Sequence, residues 1–447
     1  MEDAIVLYPS PGRGHLVTMV ELGKLILSNY PCFSIFIIIP TAPFETAVTD
    51  DYIAVVSTAT PSISFHHLPP VALPQNAFSS PKDFPALMYQ LATLNNTSLH
   101  QTLLQLSKHS KLKAFIIDFF CNASFQVSSS LNIPTYYYFT SGTNGLAVFV
   151  YFPTIHKSTT KSLKEMDDMK LHVPGSPSFP AKDMPEAMLD HEATVYQCFM
   201  DTAINMTKCA GLIVNSFELL EERSYRALVN GECAPGVTMP PVYCIGPVVS
   251  EKSEGSKEKH QCLSWLDSQP SQSVVFLCFG SLGMFYTKQL KEIAIGLERS
   301  GVRFLWVVRN PPRNDETLRK LARTKDRGYV MKTWAPQVAV LSHNSVGGFV
   351  THCGWNSVLE AVCAGQKMNK TFLVEEMKVA LPVNASEEGL VGATELEKRV
   401  TELLDPDKGR PVRQQVKAMR DGAAAAMTEG GTSHVALAKL AESFKQG

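Results

Sequence analysis

The chain has 447 residues, enough for two or three domains of ordinary size. Hydrophobic residues make up 45% and charged residues 19%, as in soluble globular proteins, and a formal net charge of -1 gives no reason to expect nucleic acid or an anionic membrane as partner. No apolar run approaches the roughly 18 residues of a membrane span. The start, MEDAIVLYPSPGRGH, has neither the basic nor the apolar region of a secretory signal, so a cytoplasmic protein is expected. In chain order, residues 4–8 read as a strand, 16–27 as a helix and 33–39 as a second strand. Residues 114–117 form a third strand that ends at Asp118, 135–139 a fourth and 211–215 a fifth. This βαβ series implies a parallel sheet covered on both faces. The pattern resets at residues 240–249, and the charged, aperiodic EKSEGSKEKH that follows reads as an interdomain linker. A second series opens with a strand at 273–279, the turn GSLG, a helix at 287–300 and a strand at 304–309. The expected fold class is α/β, with two doubly wound parallel-sheet, Rossmann-like domains facing a cleft. The domain limits read as 1–245, a linker at 246–262, 263–430, and a terminal segment 431–447 with a helix at 433–444. The ten cysteines form no CxxC pair and several lie in apolar strands, so buried, reduced thiols are expected.

Two strand-to-helix turns carry the chemistry. In the first, PSPGRGH, Gly12 and Gly14 allow a tight turn after the first strand. A dinucleotide-binding turn would need a third glycine where Val17 stands, and an acidic residue closing the second strand, where Pro40 and Thr41 stand. What remains is His15, at the carboxyl end of the first strand. A lone histidine there also serves merely to start a helix. Asp118 ends a later strand at the same sheet edge, and in a doubly wound order the two strands can be neighbours. A carboxylate on one imidazole nitrogen fixes the tautomer and leaves the other nitrogen as a base. Asp118 as a helix cap is the alternative, and no spacing rule brings the pair together.

The second turn lies in WAPQVAVLSHNSVGGFVTHCGWNSVLEAVCAGQ, residues 334–366. A short apolar strand at 346–350 opens through a polar turn into a helix with Leu359, Val362 and Cys363 on one face and Gly365 at its end. Backbone N–H groups at the positive end of a helix suit a diphosphate, with His352 and Ser357 as added donors. Many such turns only cap a helix.

This block strongly resembles the donor-binding signature of plant UDP-dependent glycosyltransferases of small molecules. The resemblance extends over nearly the whole chain, through the PSPGRGH start, GLIVNSFELLE and SVVFLCFGSLG. It is strongest to the branch acting on flavonoids, isoflavones and chalcones. It implies a GT-B fold whose C-terminal helix packs back on the N-terminal domain. It also implies roles. Trp334 stacks on uracil and Ala335 meets the base through its backbone. Gln337 and Glu360 hold the ribose, and His352, Asn356, Ser357 and Ser281 the diphosphate or sugar. The backbone of Trp355 meets the sugar, Thr140 offers it or its phosphate a hydroxyl, and Gln366 aligns with the final glutamine of the donor-binding signature. The implied reaction is inverting transfer of glucose from UDP-glucose to a small phenolic acceptor, with His15 as general base and Asp118 stabilising the imidazolium. UDP-glucose is a co-substrate and no cofactor is expected. No Asp-x-Asp pair is placed for a metal, so metal-independent chemistry is expected, in a monomer with no nucleic-acid partner. The acceptor pocket is expected from segments 119–121, 136–142 and 184–188.

The sequence departs from the family pattern after Gly365, where a further strand and turn with an acidic residue are expected. Instead VLEAVCAG runs directly into QKMNKTFLVEEMKVAL, read here as a helix, about ten residues short. The approach at 317–321 is shortened as well. Three readings follow: an active glucosyltransferase, a truncated chain that binds acceptor or UDP without turnover, and a nicotinamide-dependent reductase disfavoured by Val17.

Overall fold

The computed structural model describes residues 1–41, 47–73, 84–166, 169–249, 261–280, 285–308, 324, 326–332, 335–352, 355–361, 372–386 and 389–446, without the side chains of 47, 48, 356, 360 and 361. The chain divides into two compact units, Met1–Val249 with Ala423–Gly447, and Ser250–Gly422.

The first unit runs β1 (Glu2–Tyr8), α1 (Arg13–Asn29), β2 (Ser34–Ile39), α2 (Ala47–Ala59), β3 (Ile63–His67), α3 (Phe84–Leu106), β4 (Ser110–Asp118), α4 (Phe125–Ser130), β5 (Thr135–Phe139) and α5 (Thr143–Ser158). A small ribbon of β6 (Lys170–Leu171) and β7 (Phe179–Pro180) follows, then α6 (Thr194–Met206), β8 (Gly211–Val214), α7 (Glu222–Val229) and β9 (Val242–Cys244). Seven of these strands form one sheet in the order β3-β2-β1-β4-β5-β8-β9, all paired in parallel. Strand order reverses between β1 and β4, the switch point at which open α/β sheets bind ligands. Runs such as SIFIII in β2 are apolar on both pleat faces because helices cover both. Helix α1 buries Leu16, Met19, Val20 and Ile26, a stripe at helical spacing, against Ile5, Leu7, Ile35 and Ile37. Burying each such side chain contributes about 1.5–3 kcal/mol.

The second unit holds α8 (Gln261–Asp267), β10 (Val274–Cys278), α9 (Thr287–Ser300), β11 (Arg303–Val307), β12 (Gly328–Met331), α10 (Gln337–Leu341), β13 (Val346–Thr351), α11 (Trp355–Ala361), α12 (Ala393–Leu404) and most of α13 (Arg410–Met427). Its described strands order as β12-β11-β10-β13, again parallel, with the reversal between β10 and β13. The final helix, α14 (Thr432–Gln446), belongs to the first unit.

Of the helix expected from residue 366 to 381, the described part, residues 372–381, is not continuous: Phe372–Glu376 forms a single π turn, and Lys378 at φ 56° takes a left-handed conformation that a helix cannot continue through. Residues 362–371 and the approach at 317–321 lie outside the described residues. The described cysteines are thiols rather than disulfides, and Cys32, expected buried, is exposed.

Candidate active site

In the first unit, β1 and β4 pair from Glu2 opposite Ser110 to Tyr8 opposite Ile117, with one register shift between Ala4 and Ile5, so their carboxyl ends lie side by side. The chain leaves β1 through Pro9 and Ser10, and Gly12, at φ 113°, turns it into α1. That left-handed φ is what glycine supplies at little cost. His15 then sits in the first turn of α1, and its Nδ1 lies 2.7 Å from Asp118 Oδ2. Asp118 is fully buried, while the His15 side chain is 27% exposed, so the imidazole alone reaches solvent. Asp118 Oδ1 accepts the Phe120 backbone N–H at 3.1 Å, which fixes the carboxylate in orientation. Burial pushes the His15 pKa down. The charge and hydrogen bond of Asp118 push it up, and the balance lies above the ordinary histidine value.

Aromatic rings continue from this pair. Phe120 meets His15 edge-on at 5.8 Å, Phe119 lies 4.0 Å from Phe120, and Phe139, Phe149, Phe199 and Tyr89 join the same cluster. Sequence reading found segment 119–121 but missed Tyr89, Phe149 and Phe199. These sit on α3, α5 and α6, where helical periodicity marks a buried face without saying what it faces. Of the expected acceptor segments, Tyr136 points the other way, against Phe444 of α14, and Met184 and Met188 are buried core residues. Thr140, half-buried, follows directly on β5.

In the second unit, β10 and β13 pair with Cys278 opposite Thr351, which sets the turn after each strand beside the other. Gly280, at φ 74°, lies against the His352 ring, where an added Cβ would come 2.4 Å from His352 Cε1. Burial lowers the His352 pKa, so near neutral pH the ring is an uncharged imidazole. Ser357, in the first turn of α11, accepts a hydrogen bond from Gln337 Nε2 at 3.0 Å, tying α11 to α10. Ala335, Trp355 and Ser357 are buried. His352, Ser357, Gln337 and Gly280 thus gather at the carboxyl edge of one sheet. Asn356 and Glu360 lie on α11 with side chains outside the described atoms, and Ser281, Trp334 and Gln366 lie outside the described residues altogether. Among the described residues, no group of three or more His, Cys, Asp or Glu is placed to hold a metal ion.

Comparison with known proteins gives one answer. The model of the family described as "UDP-glucoronosyl and UDP-glucosyl transferase" matches residues 232–383. The anthocyanidin 5,3-O-glucosyltransferase of a Rosa hybrid cultivar is 48% identical over 99% of each chain. The isoflavone 7-O-glucosyltransferase 1 of Glycine max is 47% identical over 100% of each. Among solved structures, Phytolacca americana UGT2, complexed with UDP-2fluoro-glucose and pterostilbene, matches with a TM-score of 0.88 at 35% identity, covering 99% of this chain and 100% of that one. The chain belongs to this family: it is a UDP-sugar-dependent glycosyltransferase of GT-B fold, akin to plant enzymes of flavonoid and isoflavone glycosylation.

Proposed function

We propose that this glycosyltransferase moves glucose from UDP-glucose to a hydroxyl of a small phenolic acceptor of the flavonoid or chalcone type, with inversion at the anomeric carbon and His15 as general base. The observation that carries the reading is the 2.7 Å contact between His15 Nδ1 and the buried Asp118 carboxylate. It holds the proton on Nδ1 and leaves Nε2 to take one from the acceptor. A phenol near pKa ~10 and an ordinary imidazole near ~6.5 differ by roughly 3.5 units, or about 5 kcal/mol. Asp118 narrows that gap, since the His15 value is raised. Proton transfer still has to accompany attack rather than precede it. As the oxygen bonds to the anomeric carbon, the bond to UDP breaks and the diphosphate carries away the electron pair. His352 and Ser357, with the start of α11, hold that growing charge in this reading, and Thr140 meets the transferred sugar. The aromatic cluster running from Phe120 to Phe149 and Phe199 suits a planar acceptor. The names of the Rosa and Glycine max relatives support the same acceptor class.

A second reading has its own observation. The Glycine max alignment runs over 482 positions while taking in all 447 residues of this chain, and among the described residues no strand follows β13 in the second unit. They fit a chain shorter than its relative that binds UDP or acceptor with little turnover, and the shortened sequence pattern after Gly365 is where that reading puts a lost strand. Incubation with UDP-glucose and a panel of flavonoids and chalcones, read by mass, separates the two. A gain of one hexose on a phenolic is the expected result. Binding of UDP and phenolic with no hexosylated product would leave the second reading standing.

A further inference from the structure

The segment GLIVNSFELLE lies outside the nucleotide and base machinery, yet it contains a buried carboxylate held by three donors. Glu221 is 2% exposed. Its Oε2 accepts the Thr143 backbone N–H at 2.8 Å and the Ser216 hydroxyl at 2.5 Å, and its Oε1 accepts the Asn144 backbone N–H at 2.9 Å. All three neighbours are donors, which is an environment for a carboxylate rather than for a carboxylic acid. Thr143 and Asn144 are the first two residues of α5, whose preceding residue, Gly142, offers no side chain to cap it. Glu221 therefore does from a distance what an N-cap does locally, and it meets the positive end of the helix. The tie is doubled, because Thr143 Oγ1 lies 2.8 Å from Ser224 Oγ, which in turn donates to the Glu221 carbonyl at 3.1 Å. Strands β5 and β8 pair with Phe139 opposite Val214, so the turn at 140–142 runs beside Asn215 and Ser216. Asn215 is itself pinned, donating to the Val248 carbonyl at 2.8 Å and accepting the Val248 N–H at 2.7 Å.

We propose that Glu221 is a positioning residue for the transferred sugar: seated on the first amides of α5, it fixes the turn at 140–142 and with it the Thr140 hydroxyl. The proposal rests on the reading above in which Thr140 meets the sugar. Desolvation raises the Glu221 pKa, opposed by its three donors. A raised carboxyl pKa means that this group contributes stability only at acid pH and loses it as pH rises through the folded value.

The test is a cycle of Glu221→Gln, Thr140→Ala and the double variant in the full chain, with initial rates at varied UDP-glucose and varied phenolic acceptor. Gln keeps the length but turns an N–H toward donors, so it frees the turn without deleting the side chain. Each single variant should lower kcat/KM for UDP-glucose about tenfold, and the double by about the same tenfold, because both act on one hydroxyl. KM for the acceptor should stay as in the parent. A roughly hundredfold loss in the double variant, or a silent Glu221→Gln beside an impaired Thr140→Ala, overturns the positioning role while leaving the sugar contact intact. A silent Thr140→Ala overturns the sugar contact and the positioning role together. If Glu221→Gln does not fold, Ser216→Ala removes one donor to the carboxylate and runs the same cycle with a smaller single loss.

Discussion

His15 and Asp118 lie 103 residues apart in sequence and 2.7 Å apart in space. The pair sets opposite demands on pH. Because the His15 pKa is raised in the fold, the pair contributes stability below the unfolded value of about 6.5 and loses it as pH rises through the folded value. The proposed mechanism needs the neutral imidazole, so under it activity should grow over the same interval in which that stability is lost. Replacing Asp118 with Asn removes the charge while keeping the shape. The expected result is a lower inflection in the pH profile of kcat/KM, toward or below the ordinary histidine value, together with a reduced plateau. His15→Ala should cost about 10²–10⁴ in kcat, the usual worth of a positioned base, with little change in UDP binding. An unchanged inflection in Asp118→Asn would mean that another group titrates in that profile.

At the scale of elements, the two turns share a design. Each follows a strand at the reversal point of its own sheet, and each histidine has a left-handed glycine beside it, Gly12 in the same turn as His15 and Gly280 in the neighbouring turn after β10, against His352. Gly280→Ala places a methyl group 2.4 Å from the His352 ring and asks alanine for φ 74°. The conformation alone costs roughly 1–2 kcal/mol, and the displaced imidazole would no longer face the proposed nucleotide site. A rise in KM for UDP-glucose with acceptor KM unchanged is expected in initial-rate measurements. Unaltered UDP-glucose kinetics would detach His352 from the donor. Much of this scale was legible in the sequence. Strand 135–139 and helix 287–300 fall where the apolar pattern places them, because both are bounded by turn residues. Strands β3 and β12 were missed, since ISFHH and GYVM mix polar or glycine positions into short runs. Over its described part, residues 372–381, the expected helix is interrupted because periodicity cannot register a backbone reversal such as that at Lys378. The residues of the pair were legible, but their meeting depends on strand order, which local pattern does not contain. The aromatic cluster was half seen for a similar reason, since its rings come from helices distant in sequence.

At the scale of the whole chain, the second unit is an insertion into the first. The chain leaves the first unit after Val249 and returns at Ala423. Both passages are held inside the first unit. Asn215 grips Val248 just before the exit, and after the return Ser433 Oγ donates to the Gly246 carbonyl at 2.6 Å. Helix α14 then lays Phe444, fully buried, edge-on against Phe33 at 6.1 Å and Tyr136 at 5.1 Å, and Lys113 Nζ donates to the Lys445 carbonyl at 3.2 Å. Helix α14 therefore completes the core around β1, β2 and β5, and the first and last of these strands lead into His15 and Thr140, the base and the sugar contact of the proposed mechanism. Phe444→Ala should remove about 3–5 kcal/mol from that core, a fall of roughly ten degrees in its unfolding temperature. Phe33 and Tyr136, its ring partners, belong to the first unit, and the second unit has a core of its own on residues such as Val275, Leu297, Phe304 and Trp306. The parent and the variant should thus differ in how their transitions divide. In the variant the first unit melts early and the second melts separately, and UDP raises the later transition because ligand stabilises the form that binds it. Scanning calorimetry with and without UDP reads both effects. A single transition that falls as a whole and still rises with UDP would show instead that the units unfold as one cooperative body.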